Sequence, residues 1–119
     1  MDTVQTITER TIRHHIDAFN VNDIDELIKD YTEESEIWTV NGKVTGLAAI
    51  HAFFSAAFPF FPKDKSRFEL RQMIVTGNKG FVVWNADTPF VTVPLGTDTF
   101  EIKGDKIIAQ TTANYKIQK

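Results

Sequence analysis

Two adjacent histidines, His14 and His15, stand in the middle of TIRHHIDAFN, inside a stretch with helical periodicity. At about 100° per residue, Val4, Thr11, Ile12, Ile16, Ala18 and Phe19 share one arc, while Arg10, Arg13, Asp17 and Asn20 fall opposite. His15 lies about 60° from Ile12 and from Ala18 on that wheel, so it is expected to point inward. His14 sits nearer the rim and is expected to be partly wet. A buried neutral imidazole needs one satisfied nitrogen, and a backbone carbonyl could supply it with no further role. The same ring could instead carry a proton to or from a ligand.

A second polar group stands where an apolar one is expected. In TDTFEIKG, strand alternation puts Asp98 on one face with Phe100 and Ile102. An isolated ionised carboxylate is too costly for a dry core. Asp98 is therefore paired, protonated with a raised pKa, or beside a cavity, unless it sits at a strand end near solvent. In IIAQTTANYKI, Ile108, Gln110, Thr112 and Asn114 share a face, opposite Ile107, Ala109, Thr111, Ala113 and Tyr115. That face is either an outward polar row or a polar patch within a cavity. Tyr31, Trp38, Phe53, Phe54, Phe58 and Trp84 could wall the cavity or simply fill the core. With His15 and Asp98 as candidate catalytic residues, the expected ligand-binding set is Tyr31, Trp38, Phe54, Phe58, Trp84, Gln110, Thr112 and Asn114.

Other chemistries find little support. The chain has no cysteine, which removes disulfides, thiolate metal sites and cysteine nucleophiles. His14 and His15 diverge by about 100° and cannot chelate together, and His51 reads as surface, so no metal site is expected. Ser35, Ser55 and Ser66 lack a nucleophile-elbow context, no glycine-rich phosphate loop occurs, and no cofactor is expected. The formal charge of −3 comes from interspersed signs, with no basic stripe for nucleic acid. The start, MDTVQTITER, is polar, and the aromatic run Phe53–Phe61 is too short to span a bilayer. A soluble cytoplasmic protein without a membrane or nucleic-acid partner is the expectation.

The positioning elements follow from pattern. The 119 residues are read as one domain, residues 1–119. A helix is expected over Val4–Phe19, and a second begins at Asn22 or Asp23, where Asp23 and Glu26 suggest a capping box. Glu36–Val40, Asn41-Gly42 and Lys43–Thr45 read as a hairpin with a type I′ turn. A third helix lies in GLAAIHAFFSAAF and ends at Pro59 and Pro62. Strands are expected over Arg67–Val75, Phe81–Val91, Thr97–Lys103 and Lys106–Ile117. Helices first and a meander later give an α+β fold with helices packed on one face of a twisted sheet.

The segment HHIDAFNVNDIDELIKDYTEESEIWTVNGKVTGLAAIHAFF resembles the front half of the NTF2-like superfamily, in particular its SnoaL-like and ketosteroid-isomerase-like members. The cues are N-x-x-D-x-D-x-L, the acidic turn after it, and the A-A-I-x-x-F-F helix. The resemblance implies a cystatin/NTF2-like cone, three N-terminal helices held in a strongly curved antiparallel sheet, with a pocket at the open end. It also implies a homodimer pairing through the sheet's outer face, with Phe81, Val83 or Val91 as candidate contacts. In ketosteroid isomerase a tyrosine and a protonated aspartate form the oxyanion hole, and another aspartate moves the proton. Those positions correspond here to His15, Asp98 and Thr39, and threonine is no general base near neutral pH. Phe54 matches a pocket aromatic. The resemblance thus implies an apolar pocket for a small organic molecule. Isomerase, dehydratase or cyclase chemistry by a His15–Asp98 pair is one outcome, and a non-catalytic binding or dimerisation module is the other.

Overall fold

The computed structural model describes residues 2–119. It opens with α1 (Val4–Asn20), whose first turn is capped by Thr3: its Oγ1 accepts the Thr6 N–H at 3.0 Å. Asn22, at φ 55°, takes the left-handed turn that ends α1, and the Asp23 N–H bonds back to the Ala18 carbonyl. The short α2 (Ile24–Ile28) is capped by Asp23, which accepts the Glu26 N–H at 3.1 Å. Only half of the expected capping box forms, because the Glu26 carboxylate turns to His14 and Lys29 instead.

The hairpin consists of β1 (Glu36–Thr39) and β2 (Gly42–Thr45). Thr39 pairs with Gly42, so the reversal lies at Val40–Asn41, one residue earlier than the Asn-Gly reading. The Thr39 hydroxyl closes it, donating to the Gly42 carbonyl and accepting the Asn41 N–H. Next come α3 (Leu47–Ala57) and a single 3₁₀ turn over Phe58–Phe60. The meander follows: β3 (Arg67–Thr76), β4 (Lys79–Asp87), β5 (Val91–Lys103) and β6 (Lys106–Gln118). The β4–β5 reversal falls inside the run expected to be one strand to Val91. Thr88 Oγ1 accepts the Phe90 and Val91 N–H groups there, and Pro89 fits the turn.

The six strands form one sheet in the order β2-β1-β6-β5-β4-β3, antiparallel except where β1 runs parallel to β6. Register shifts interrupt β3–β4, β4–β5 and β5–β6, and such bulges bend a sheet. The concave side takes α1. Gly80 permits the close approach, since a Cβ there would lie 2.2 Å from Ile12 Cδ1. The core of Ile12, Leu27, Ile37, Ile50, Phe100 and Ile107 is essentially dry. One bulge alters the reading of β6: between Glu101 and Ile102 the pairing skips a residue, so Ile107 and Gln110 both face inward. Strict alternation had placed Ile107 and Gln110 on opposite faces.

Candidate functional site

The register of the inner face assembles the site. One row across the sheet runs Val82, Asp98, Thr112; the next runs Gly80, Phe100, Gln110, Ile37; a third runs Trp84, Gly96, Asn114. Asp98 is therefore directly opposite Thr112 and diagonal to Gln110 and Trp84, within side-chain reach. All three donate to it: Trp84 Nε1 to Oδ1 at 3.0 Å, Thr112 Oγ1 to Oδ1 at 3.1 Å, and Gln110 Nε2 to Oδ2 at 2.8 Å. Trp84 reaches Asp98 because its indole lies flat over Gly96, where a Cβ would fall 2.2 Å from the ring.

His15 comes down from α1 into this network. It is buried, edge-on to Phe54 and Phe100 with centroids 5.5 Å away. Its Nδ1 lies 3.2 Å from the Tyr31 hydroxyl, and that hydroxyl donates to Gln110 Oε1. The proton positions follow from the far end. Asp98 takes the Gln110 NH₂, so the amide carbonyl faces Tyr31. Tyr31 spends its proton on that carbonyl, so it must accept from His15, and Nδ1 carries the imidazole hydrogen. Nε2 is then a bare lone pair. It makes no hydrogen bond among the described residues, yet no buried side-chain nitrogen or oxygen there lacks a partner. Nε2 is therefore open to the cavity.

Burial holds these protonation states. The His15 pKa is lowered to about 4, by desolvation first and by neighbouring His14 second, so the ring is neutral at pH 7. Burial pushes the Tyr31 phenol well above its ordinary range, keeping it a donor. Burial also raises Asp98, opposed by the hydrogen bonds from Trp84, Gln110 and Thr112. His14, one residue away, faces α2 instead: Nδ1 is 2.7 Å from Asp30 and Nε2 is 2.8 Å from Glu26. Desolvation lowers its pKa, but the bonds and charges of Asp30 and Glu26 outweigh that and leave it raised.

The cavity beside this network has a volume of about 130 Å³. Its walls are mostly aromatic: Phe19, Phe53, Phe54, Phe61, Phe68 and Trp84, with Phe100 and Val82 below. Its polar lining is His15, Asp98, Gln110, Thr112, Asn20 and Asn114. Thus His15, Asp98, Phe54, Trp84, Gln110, Thr112 and Asn114 come together, Asn114 at the exposed mouth.

Three expected positions differ. Trp38 is 51% exposed on the opposite face of the sheet, under the Lys43 ammonium, because Ile37 takes the inward position of β1. Phe58 packs on Phe19, outside the cavity lining. Tyr31 does not line the cavity; it is the buried link behind His15. His15 and Asp98 are likewise not a direct pair, since Tyr31 and Gln110 stand between them. Thr39 is engaged in its hairpin turn and does not line the cavity either. Phe19 was read from sequence only as part of the helix's apolar arc, Asn20 was placed opposite that arc yet lines the cavity, and Phe61 and Phe68 were not singled out. Phe68 stands in the alternation of β3, and Phe61 is positioned by Asn22, which receives Lys63 N–H and donates to the Phe61 carbonyl.

The described helices include none long and apolar enough to cross a membrane. No curated protein matches this chain in sequence. Among solved structures, a provisionally named ketosteroid isomerase from Kribbella flavida superposes with a TM-score of 0.80 at 16% identity, covering 98% of this chain and 84% of that one. An NTF2-like protein of unknown function from Mesorhizobium loti gives 0.78 at 20%, covering 97% and 96%. A provisionally named polyketide cyclase from Sinorhizobium meliloti gives 0.72 at 21%, covering 87% and 94%. These likenesses establish a shared α+β cone. The family description "SnoaL-like domain" matches residues 12–110, which is most of the chain, and the protein belongs to the SnoaL-like family of NTF2-like folds.

Proposed function

We propose that the aromatic cavity binds a small organic molecule and that His15 Nε2 accepts a proton from a carbon beside its carbonyl. The observation that carries this reading is the open Nε2 lone pair, fixed by the chain from Nδ1–H through Tyr31 and Gln110 to Asp98. A neutral imidazole with a pKa of about 4 has the basicity of a carboxylate, the group ketosteroid isomerase uses for such a step. The proton moves from carbon to Nε2, and the electron pair moves onto the carbonyl oxygen. The amides of Asn20 and Asn114 are available to that oxygen. Returning the proton to another carbon completes an isomerisation; passing it to a β-hydroxyl, which leaves as water while the enolate electrons re-form the carbonyl and make the new C=C bond, completes a dehydration.

Gln110 cannot pass a proton onward without becoming an imidic acid. Asp98 therefore acts through orientation: it aims the amide, the amide aims Tyr31, and Tyr31 selects the imidazole tautomer. General-base assistance of this kind contributes about 10²–10⁴-fold. Proton–deuterium exchange into cyclohexenone, followed by NMR, tests the reading. His15→Gln should slow catalysed exchange by about 10²-fold, and an unchanged rate removes His15 from the chemistry.

A second reading is favoured by Thr39, which holds a hairpin turn where the related isomerase has its base: a binding module without catalysis. It predicts ligand binding with no exchange above buffer. Either way, the outer face of the sheet supports a homodimer. Ile74, Phe81, Thr99, Thr111 and Trp38 form one exposed row across five strands, although Val91 is buried and takes no part.

A further inference from the structure

The cavity limits what can occupy it in three independent ways. The first is size. At about 130 Å³ it falls short of the roughly 300 Å³ at which drug-sized ligand sites begin. It is close to the engineered cavity of about 150 Å³ that takes up benzene. A neighbouring hollow of about 190 Å³ shares Asn20, Phe61 and Phe68 with it, so a fused tetracycle would have to run on past the aromatic walls into that hollow or into water. The second is charge. No lysine or arginine lines the cavity, and its one acidic group, Asp98, lies beneath it with three hydrogen bonds holding the carboxylate. An anionic ligand would be stripped of water, given no counter-charge and set against Asp98. The third is shape. Phe19, Phe53, Phe54, Phe61 and Trp84 present ring faces and edges, which complement a flat ring, while the polar groups gather around His15 and Asn114.

From these we infer that the ligand is an uncharged carbonyl compound built on a single ring, about six to ten non-hydrogen atoms in all. Steroids and fused polyketides outgrow the aromatic cavity, and acyl chains bearing carboxylate or phosphate find no counter-charge in it. This inference rests on the pocket reading above and narrows it to one substrate class.

The test is an NMR titration of the intact protein, following the indole N–H of Trp84, which reports on the cavity through its bond to Asp98. Trp38→Phe distinguishes the two indole signals. The probes are acetophenone, benzoate and androstenedione. Acetophenone is expected to move the Trp84 signal at millimolar concentration. Benzoate should bind at least about tenfold more weakly, and androstenedione should leave the signal in place up to its solubility limit. Asp98→Asn should narrow the gap between acetophenone and benzoate. Benzoate binding as tightly as acetophenone, or androstenedione binding more tightly, overturns the substrate class while leaving the pocket reading intact. If none of the three moves Trp84, the pocket reading falls and the substrate class falls with it.

Discussion

Tyr31→Phe removes one oxygen atom from the interior and nothing else. In the folded protein that hydroxyl receives His15 Nδ1–H and donates to Gln110 Oε1, and all three residues are buried. Its loss strands one donor and one acceptor, each costing about 1–3 kcal/mol when no water replaces the partner. His15 can relieve part of this by moving its hydrogen to Nε2, facing the cavity, so a net loss of about 2–4 kcal/mol is expected. For a chain of this length that corresponds to a fall of roughly 8–15 °C in Tm. Urea unfolding measures the free energy, and the imidazole nitrogen shifts of His15 measure the tautomer. The wild type should show hydrogen on Nδ1, and the variant should show it displaced toward Nε2. A loss below about 1 kcal/mol with an unchanged tautomer would refute the hydrogen-bond chain.

Four further outcomes are expected. The folded His15 pKa of about 4 lies below the ordinary 6.5, so between those values the unfolded chain binds a proton that the folded one does not. Acidification from pH about 8 to about 4 should therefore cost roughly 3 kcal/mol of stability through this residue alone, a loss that His15→Gln removes in denaturation curves at the two pH values. His14 has the opposite sign: its raised pKa stabilises fully below 6.5 and is lost as pH climbs through the folded value, so His14→Ala should destabilise more at pH about 6 than at about 9. Gly96→Ala puts a Cβ 2.2 Å from the Trp84 ring, which should displace the indole from Asp98 and cost about 1–3 kcal/mol; an unshifted Trp84 N–H resonance would contradict this. Phe81→Glu, in the exposed row of the outer face, should convert a dimer to a folded monomer by light scattering, and a wild type that is already monomeric at micromolar concentration ends the dimer proposal.

What could be read from sequence was whatever depended on period. Helical spacing placed His15 inward and His14 at the rim, and alternation aimed Asp98 into the protein beside Phe100 and Ile102. What could not be read depended on where the period breaks. The bulge at Glu101/Ile102 sends both Ile107 and Gln110 inward, and nothing in KIIAQTT marks the extra residue. Trp38 misled for a related reason. In EIWT either apolar residue could be the inward one, and only the parallel pairing of β1 with β6, set by a contact more than seventy residues away along the chain, gives that place to Ile37.

The same distinction explains why the acid and the imidazole were visible while the link between them was not. Each carries a signal in its own element, a polar residue at an apolar position. Tyr31 carries none, because an aromatic at the end of an apolar stripe looks like core, and it is core to within its hydroxyl. Yet a chain of neutral groups between His15 and Asp98 has a consequence a direct ion pair would not have. A carboxylate touching Nδ1 would raise the imidazole pKa and favour imidazolium. Set two residues back, it fixes the tautomer through Tyr31 and Gln110 while burial keeps the ring uncharged. The lone pair facing the cavity is thus available near neutral pH because Asp98 is held away from His15.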